Sequence, residues 1–197
     1  HGMWPNATTK EARILALKFV RRLIDGGDFE ACSVLDVNND GVLDIVSGGF
    51  WYEGPDFVKK HKICDVESEG EYKKDFSSIP MDVNGDGWMD LITGSWWGEG
   101  LYWRENPGEA GGEWTTHLIG RCGNIETTRA FDIDGCGVPE IFPNTPGEAQ
   151  SFFKLVVDEN GKGTGKFTRH IIGHKTSGHG MGFGDINGDG KMDILLS

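Results

Sequence analysis

Short apolar runs recur along the chain, and Gly-, Asp- and Asn-rich stretches separate them. Such runs are too short for helices of ordinary length and read as strands bounded by turns. Cys32–Leu35 is one such strand, and it enters an Asp-rich loop. A second apolar strand leaves the loop, as at Asp44–Ser47 and again at Asp90–Thr93. A Gly/Trp turn comes next. A strand of alternating polar and apolar positions follows: FVRRLI at 19–24, FVKKHKI at 57–63, EWTTHLI at 113–119 and KFTRHII at 166–172. One stretch breaks the pattern. Thr8–Ile24 is rich in helix formers, so a short helix or loop is expected ahead of a strand around Phe19–Ile24.

The loops are periodic. Asp36 opens DVNNDGVLDIV, Asp82 opens DVNGDGWMDLI, Asp132 opens DIDGCGVPEIF and Asp185 opens DINGDGKMDIL, at spacings of 46, 50 and 53 residues. Three different elements recur in the same order, which marks an internal repeat. Strands of this length at this spacing predict an all-β fold, a β-propeller of four-stranded blades with four repeat units in this chain. Residues 1–27 read as an N-terminal segment carrying outer strand(s) of a blade, and 28–197 as the repeats. Two arrangements stay open: a closed four-bladed ring, or part of a larger propeller, for example a seven-bladed one. The apolar end at Asp193–Ser197 favours the larger one, since an unpaired edge strand is a liability.

The loops have the chemistry of a hard cation site. The pattern D-x-[DN]-x-D-G-x-x-D sets oxygens at positions 1, 3, 5 and 9 and a carbonyl at 7, with Gly at 6 for the sharp turn. Calcium takes six to eight oxygens at about 2.3–2.6 Å, and this spacing wraps them round one ion. The expected ligands are Asp36, Asn38, Asp40, the Val42 carbonyl and Asp44; then Asp82, Asn84, Asp86, the Trp88 carbonyl and Asp90; then Asp185, Asn187, Asp189, the Lys191 carbonyl and Asp193. This is not an EF-hand: position 12 is Ser47, Thr93 or Leu196 rather than Glu, and strands follow. The loop at 132–140 is degenerate, with Cys136 at position 5 and Glu140 at position 9. A thiol is a poor calcium ligand, so that loop is expected to be weak or empty. About three calcium ions follow. The alternative is an Asx-rich turn without metal, but three carboxylates in one turn would then repel.

These loops, repeated about every 50 residues between short strands, resemble the FG-GAP/VCBS repeats of integrin-like β-propellers. The resemblance covers 28–197, with three of four motifs intact. It implies a propeller with calcium in blade loops on one face. SGHGMGFGDINGDG and the WYEGP and WRENPG turns are similar to bacterial FG-GAP proteins. More distantly they are similar to the propeller domain of aldos-2-ulose dehydratase, a sugar dehydratase. The scaffold serves adhesion, lectin and lyase-type proteins, so fold does not settle function.

In a propeller the first strand of each blade lines the channel. Six residues before the loops lie Glu30, Phe76, Glu126 and His179, with Asp75 one residue further; three before lie Ser33, Ile79, Arg129 and Gly182. The count predicts that Glu30, Asp75, Glu126, Arg129 and His179 share one rim. Carboxylates with a histidine suit a further divalent metal or general acid–base work. The glycines in Ser177–Gly182 leave His179 room to face a ligand; the bland reading is ordinary hydrated loop residues. Trp51, Trp96, Trp97 and Trp103 follow the loops. Aromatic faces stack on sugars, but blade packing also uses them; Trp97 and Trp103 are the expected ligand-facing pair. His61, His117 and His170 share one repeat position and read as structural. Cys32, Cys64, Cys122 and Cys136 lack C-x-x-C spacing, which argues against structural zinc; Cys122 and Cys136 flank one strand and could pair.

Charge enters last. The formal net charge is −12, which first argues against nucleic acid or an anionic membrane as the main partner; no membrane insertion is expected. The four loops hold 12 of the 31 acids, and the other 19 face 19 Lys and Arg. The acidity is thus mostly a mark of the loops. No run approaches the ~20 apolar residues of a membrane helix. Scarce cytosolic calcium favours an extracellular or periplasmic setting. The expectation is a calcium-stabilised module binding a carbohydrate or protein ligand at the channel rim. The alternatives are a sugar lyase or dehydratase using His179 and rim carboxylates with a divalent metal, and a structural or adhesion scaffold.

Overall fold

The computed structural model describes residues 18–98, 100–174 and 178–196. Three four-stranded antiparallel sheets carry the chain, each a simple meander of neighbouring strands. The first holds β1 (Cys32–Leu35), β2 (Asp44–Ser47), β3 (Phe50–Tyr52) and β4 (Lys60–Lys62). A short hairpin, β5 (Ser68–Glu69) and β6 (Tyr72–Lys73), follows. The second sheet holds β7 (Ile79–Met81), β8 (Asp90–Gly94), β9 (Gly100–Glu105) and β10 (Thr115–Arg121). The third holds β11 (Thr127–Phe131), β12 (Glu140–Asn144), β13 (Ser151–Val157) and β14 (Gly163–Ile171). β15 (Met181–Gly184) and β16 (Asp193–Leu196) pair as a two-stranded sheet. Each four-stranded sheet is the blade that the repeat predicts, and every Asp loop is the turn between the first two strands of its sheet.

Two expectations need correction. Residues 18–29 form no regular element, so the strand around Phe19–Ile24 is not made. Phe19 is 90% exposed and Leu23 78%. An alternating segment becomes a strand only where a neighbour takes its backbone hydrogen bonds, and no described strand pairs with this one. The helix-forming part of Thr8–Ile24 lies, up to residue 17, outside the described residues. The suggested Cys122–Cys136 pair is not formed either. All four cysteines are free; Cys122 is buried in the core and Cys136 is exposed in its loop.

The core lies between blades. Leu35, Val37, Val46 and Ile63 of the first blade pack with Leu91 and Trp114 of the second. Met81, Val83, Ile92, Leu101 and Trp103 pack with Ile141, Phe153 and Leu155 of the third. A strand this short cannot bury its apolar face alone, so each blade depends on its neighbour. Hydrogen bonds cross the same seams, from Trp114 N–H to the Ile63 carbonyl and from Gly165 N–H to the Val83 carbonyl.

Candidate functional site

The Asp loops fold alike because their side chains hydrogen-bond to their own backbone. In the first, Asp36 accepts from the N–H of Asp40 and Gly41, and Asn38 Oδ1 from Asp40 N–H. Asp40 accepts from Val42 N–H. Asp44 is fully buried and accepts from Val37 N–H at 2.8 Å and Gly54 N–H at 2.7 Å. The second loop repeats this with Asp82, Asn84, Asp86 and Asp90, and the fourth with Asp185, Asn187, Asp189 and Asp193. The Gly at position 6 has a positive φ throughout: 84° at Gly41, 91° at Gly87, 90° at Gly137 and 85° at Gly190. That is the sharp turn the pattern demanded, in a region a side chain would strain.

The donor set of the three full loops fits a hard divalent cation. Each supplies three carboxylates, an amide oxygen and a chain carbonyl within nine residues of sequence, all oxygen. The charges are uncomfortable as they stand. Burial pushes the Asp90 carboxyl up to about 7, and repulsion from Asp86 and Asp82 adds to it. Asp44 is raised for the same reasons, with Asp40 and Asp36 as its neighbours. A cation would relieve both.

The third loop differs. Asp132 and Asp134 accept from Cys136 N–H as their counterparts do, and Glu140 braces Ile133 N–H. Ligand atoms of Asp132, Asp134 and Cys136 lie within 4.8 Å of one another. But Lys154 of β13 reaches in. Its ammonium pairs with Asp134, lies 3.1 Å from Glu140 Oε1 and 3.7 Å from Cys136 Sγ. Sequence reasoning missed Lys154. The signal lay in the strand register, not in the loop.

The predicted rim residues divide. Glu30, Glu126 and His179 line one pocket of about 280 Å³ with Tyr72, Phe76, Trp96 and Trp97. Glu30, Phe76, Glu126 and His179 come from the leads into the first strands of four successive repeats, at the counted position. His179 Nδ1 lies 3.0 Å from Glu126 Oε1, and the Trp96 ring is near-parallel to the imidazole, centroids 6.4 Å apart. Trp97 packs against Tyr72 and edge-on to Phe76, at 5.5 and 5.8 Å. Tyr72 comes from the β5–β6 hairpin, where the sequence carries no motif. Of the Gly-rich surround, residues 175–177 lie outside the described residues.

Three predicted residues stand elsewhere. Asp75 is fully buried, accepts from Thr93 Oγ1 at 2.7 Å and lies 3.5 Å from the buried Arg104 guanidinium. Burial holds its carboxyl above the usual range, against the pull of Arg104. It faces an internal cation rather than the rim. Trp103 is 5% exposed in the core between blades, stacked on His117 at 4.5 Å, so it offers no face to a ligand. Arg129 is exposed on β11 and does not line the rim pocket. The repeated histidines stack on the third strand of their blades: His61 on Trp51, His117 on Trp103 and His170 on Phe152. His61 and His117 also meet Glu53 and Glu105, at 3.1 and 2.7 Å.

A larger hollow of about 780 Å³ lies between the first and second blades, beside Trp51, His61, Trp88 and Trp114. Its cations are already matched: Lys60 by Asp25 and Lys62 by Asp65 and Glu113. The rim pocket is smaller, yet its polar groups converge with four aromatic rings.

Comparison with protein families matches residues 82–142 and 155–196 to the FG-GAP-like repeat, together just over half of the chain. The match spans the second, third and fourth Asp loops. No curated protein matches the chain.

Proposed function

The chain belongs to the FG-GAP-like repeat family, and on that footing we propose that it is a calcium-stabilised propeller module that binds a carbohydrate at the mouth of its channel. One observation carries the reading. Glu30, Glu126 and His179 meet Tyr72, Phe76, Trp96 and Trp97 in one pocket built from successive repeats. Flat rings suit the apolar face of a sugar, and the carboxylates and imidazole suit its hydroxyls. Calcium would be held by Asp36, Asn38, Asp40, Val42 and Asp44, and by their counterparts at 82–90 and 185–193. It would neutralise the crowded carboxylates and lock each turn between first and second strands. Such sites fill readily where calcium is plentiful, which supports an extracellular or periplasmic setting. No helix among the described residues is long and apolar enough to cross a membrane.

The test is binding to a panel of glycans, followed by calorimetry on the hits. Trp97→Ala should weaken binding by about tenfold, the worth of one stacked ring at roughly 1–1.5 kcal/mol. Trp51→Ala, which lines a different hollow, should leave it unchanged. Binding that ignores Trp97, Trp96 and His179 alike would sink the rim as the site.

A second reading has its own support. His179 Nδ1 is 3.0 Å from Glu126 Oε1, with Glu30 in the same pocket. A paired imidazole and a second carboxylate can remove a proton beside a sugar carbonyl and assist a departing hydroxyl. If the protein is a sugar lyase or dehydratase, His179→Ala abolishes turnover while binding through Trp97 survives.

A further inference from the structure

The third loop departs from the others at Asp134, Cys136 and Glu140 and in the strand beside it, and two of these changes are linked. The first is Cys136, where the full loops have Asp40, Asp86 and Asp189. The second is found only by strand register. Ile45 pairs with Tyr52, Leu91 with Arg104 and Ile141 with Phe153. These pairs follow Asp44, Asp90 and Glu140 by one residue, so they are equivalent. The next residue on the third strand is therefore Glu53 in the first blade, Glu105 in the second and Lys154 in the third. Glu105 faces its loop, since Asn84 Nδ2 donates to Glu105 Oε1 at 3.1 Å. Lys154 faces its own, where the ammonium meets Asp134, Glu140 Oε1 and Cys136 Sγ.

The third loop thus keeps three carboxylates, Asp132, Asp134 and Glu140, with a thiol at position 5, and gains a base from the strand beside it. Glu140 makes the point sharper. It is 1% exposed, and its Oε1 has no hydrogen-bond donor other than the nearby ammonium. A buried carboxylate needs a counter-charge, and Lys154 supplies one without any ion from solution. With Asp134 already at position 3, an acid at 136 would set four carboxylates against one ammonium, and the thiol avoids this.

We propose that Lys154 is the resident cation of the third loop: its ammonium takes the role of the metal, and positions 136 and 154 together decide whether a blade loop of this chain holds calcium. The register position after the third-strand pair is then a selector, Glu for a metal-holding loop and Lys for a self-neutralised one. The inference deepens the calcium reading of the full loops, but rests on it only for the contrast between blades.

Hydrogen exchange, read by mass spectrometry with and without a calcium chelator, tests it loop by loop. In the wild type, chelation should speed exchange in 36–44, 82–90 and 185–193 and leave 132–140 unchanged. In Lys154→Met, 132–140 should exchange at least tenfold faster even in calcium, while Lys154→Arg keeps the wild-type rate. The pair of changes Cys136→Asp with Lys154→Glu should make 132–140 respond to the chelator and raise the calcium count by one ion per chain. The Arg variant is the control for folding. The inference is overturned if chelation loosens 132–140 in the wild type, if Lys154→Met leaves its exchange unchanged, or if the double variant stays blind to calcium. It is also overturned if zinc or cadmium binds the wild type and protects Cys136 from alkylation, because a soft metal would then be the occupant. If the full loops ignore the chelator while Lys154→Met still frees 132–140, the calcium reading fails and the role of Lys154 stands.

Discussion

At the scale of single residues, the last acid of each loop carries more than a charge. Asp90 is fully buried and joins two chain segments, accepting from Val83 N–H at 2.9 Å and Asn106 N–H at 2.8 Å. Asp90→Ala strands both donors in a dry site, and each orphaned group costs about 1–3 kcal/mol. Urea unfolding should therefore show a loss of roughly 2–5 kcal/mol even in chelator, more than the metal alone explains. Asp134 makes the opposite case, at the surface. Its hydrogen bond from Lys154 draws the carboxyl from 3.8 down to about 2. A lowered pKa means that the fold prefers the charged form. The contribution is present above pH 3.8 and is lost as pH falls through about 2. An NMR titration of Asp134 should show the low midpoint in the wild type and the ordinary one in Lys154→Met.

At the scale of elements, stability lies in the seams between blades. Phe153 is 2% exposed and packs with Met81, Val83, Ile92 and Trp103 of the preceding blade. Phe153→Ala should cost about 3–5 kcal/mol in the same unfolding assay, as other buried aromatic truncations do. The strands at 32–35 and 44–47 were legible from their own residues, because a repeat announces each turn by its Asp and Gly. At 19–24 the pattern predicted a strand that is not formed, because alternation describes one edge and says nothing about a partner. Trp103 failed for a related reason. Its place after the loop matched Trp97's neighbourhood in sequence, but a position on β9 facing the next blade is set by packing that a single chain's pattern does not contain. The shared pocket was legible in Glu30, Glu126 and His179, since counting back from a fixed loop preserves the register of a blade. Asp75 fell one residue out of that register and turned inward to Arg104.

At the scale of the whole molecule, the net charge of −12 is divided among the loops rather than spread over a face. Divalent ions in three loops would reduce it to about half, so stability should track calcium more than ionic strength. A ligand at a hundred times its dissociation constant adds about 2.7 kcal/mol per site, so chelation should lower the melting temperature by several degrees. Adding magnesium in place of calcium should restore little of it, because the smaller ion sheds its water reluctantly.

One small cross-link ties the first two loops together. Asn106 leaves the second blade beside Asp90 and donates to the carbonyls of Met89 and of Val37 in the first loop, at 3.2 and 2.9 Å. Asn39 of the first loop reaches back to the Gly87 carbonyl of the second at 3.1 Å. Ordering either turn therefore lowers the entropy still to be lost by the other. Ions entering these two turns would help one another, by equal amounts in both directions. The molecule would then meet a falling calcium supply with a steep release rather than a gradual one, and Asn106→Ala would flatten that curve before it altered the fold.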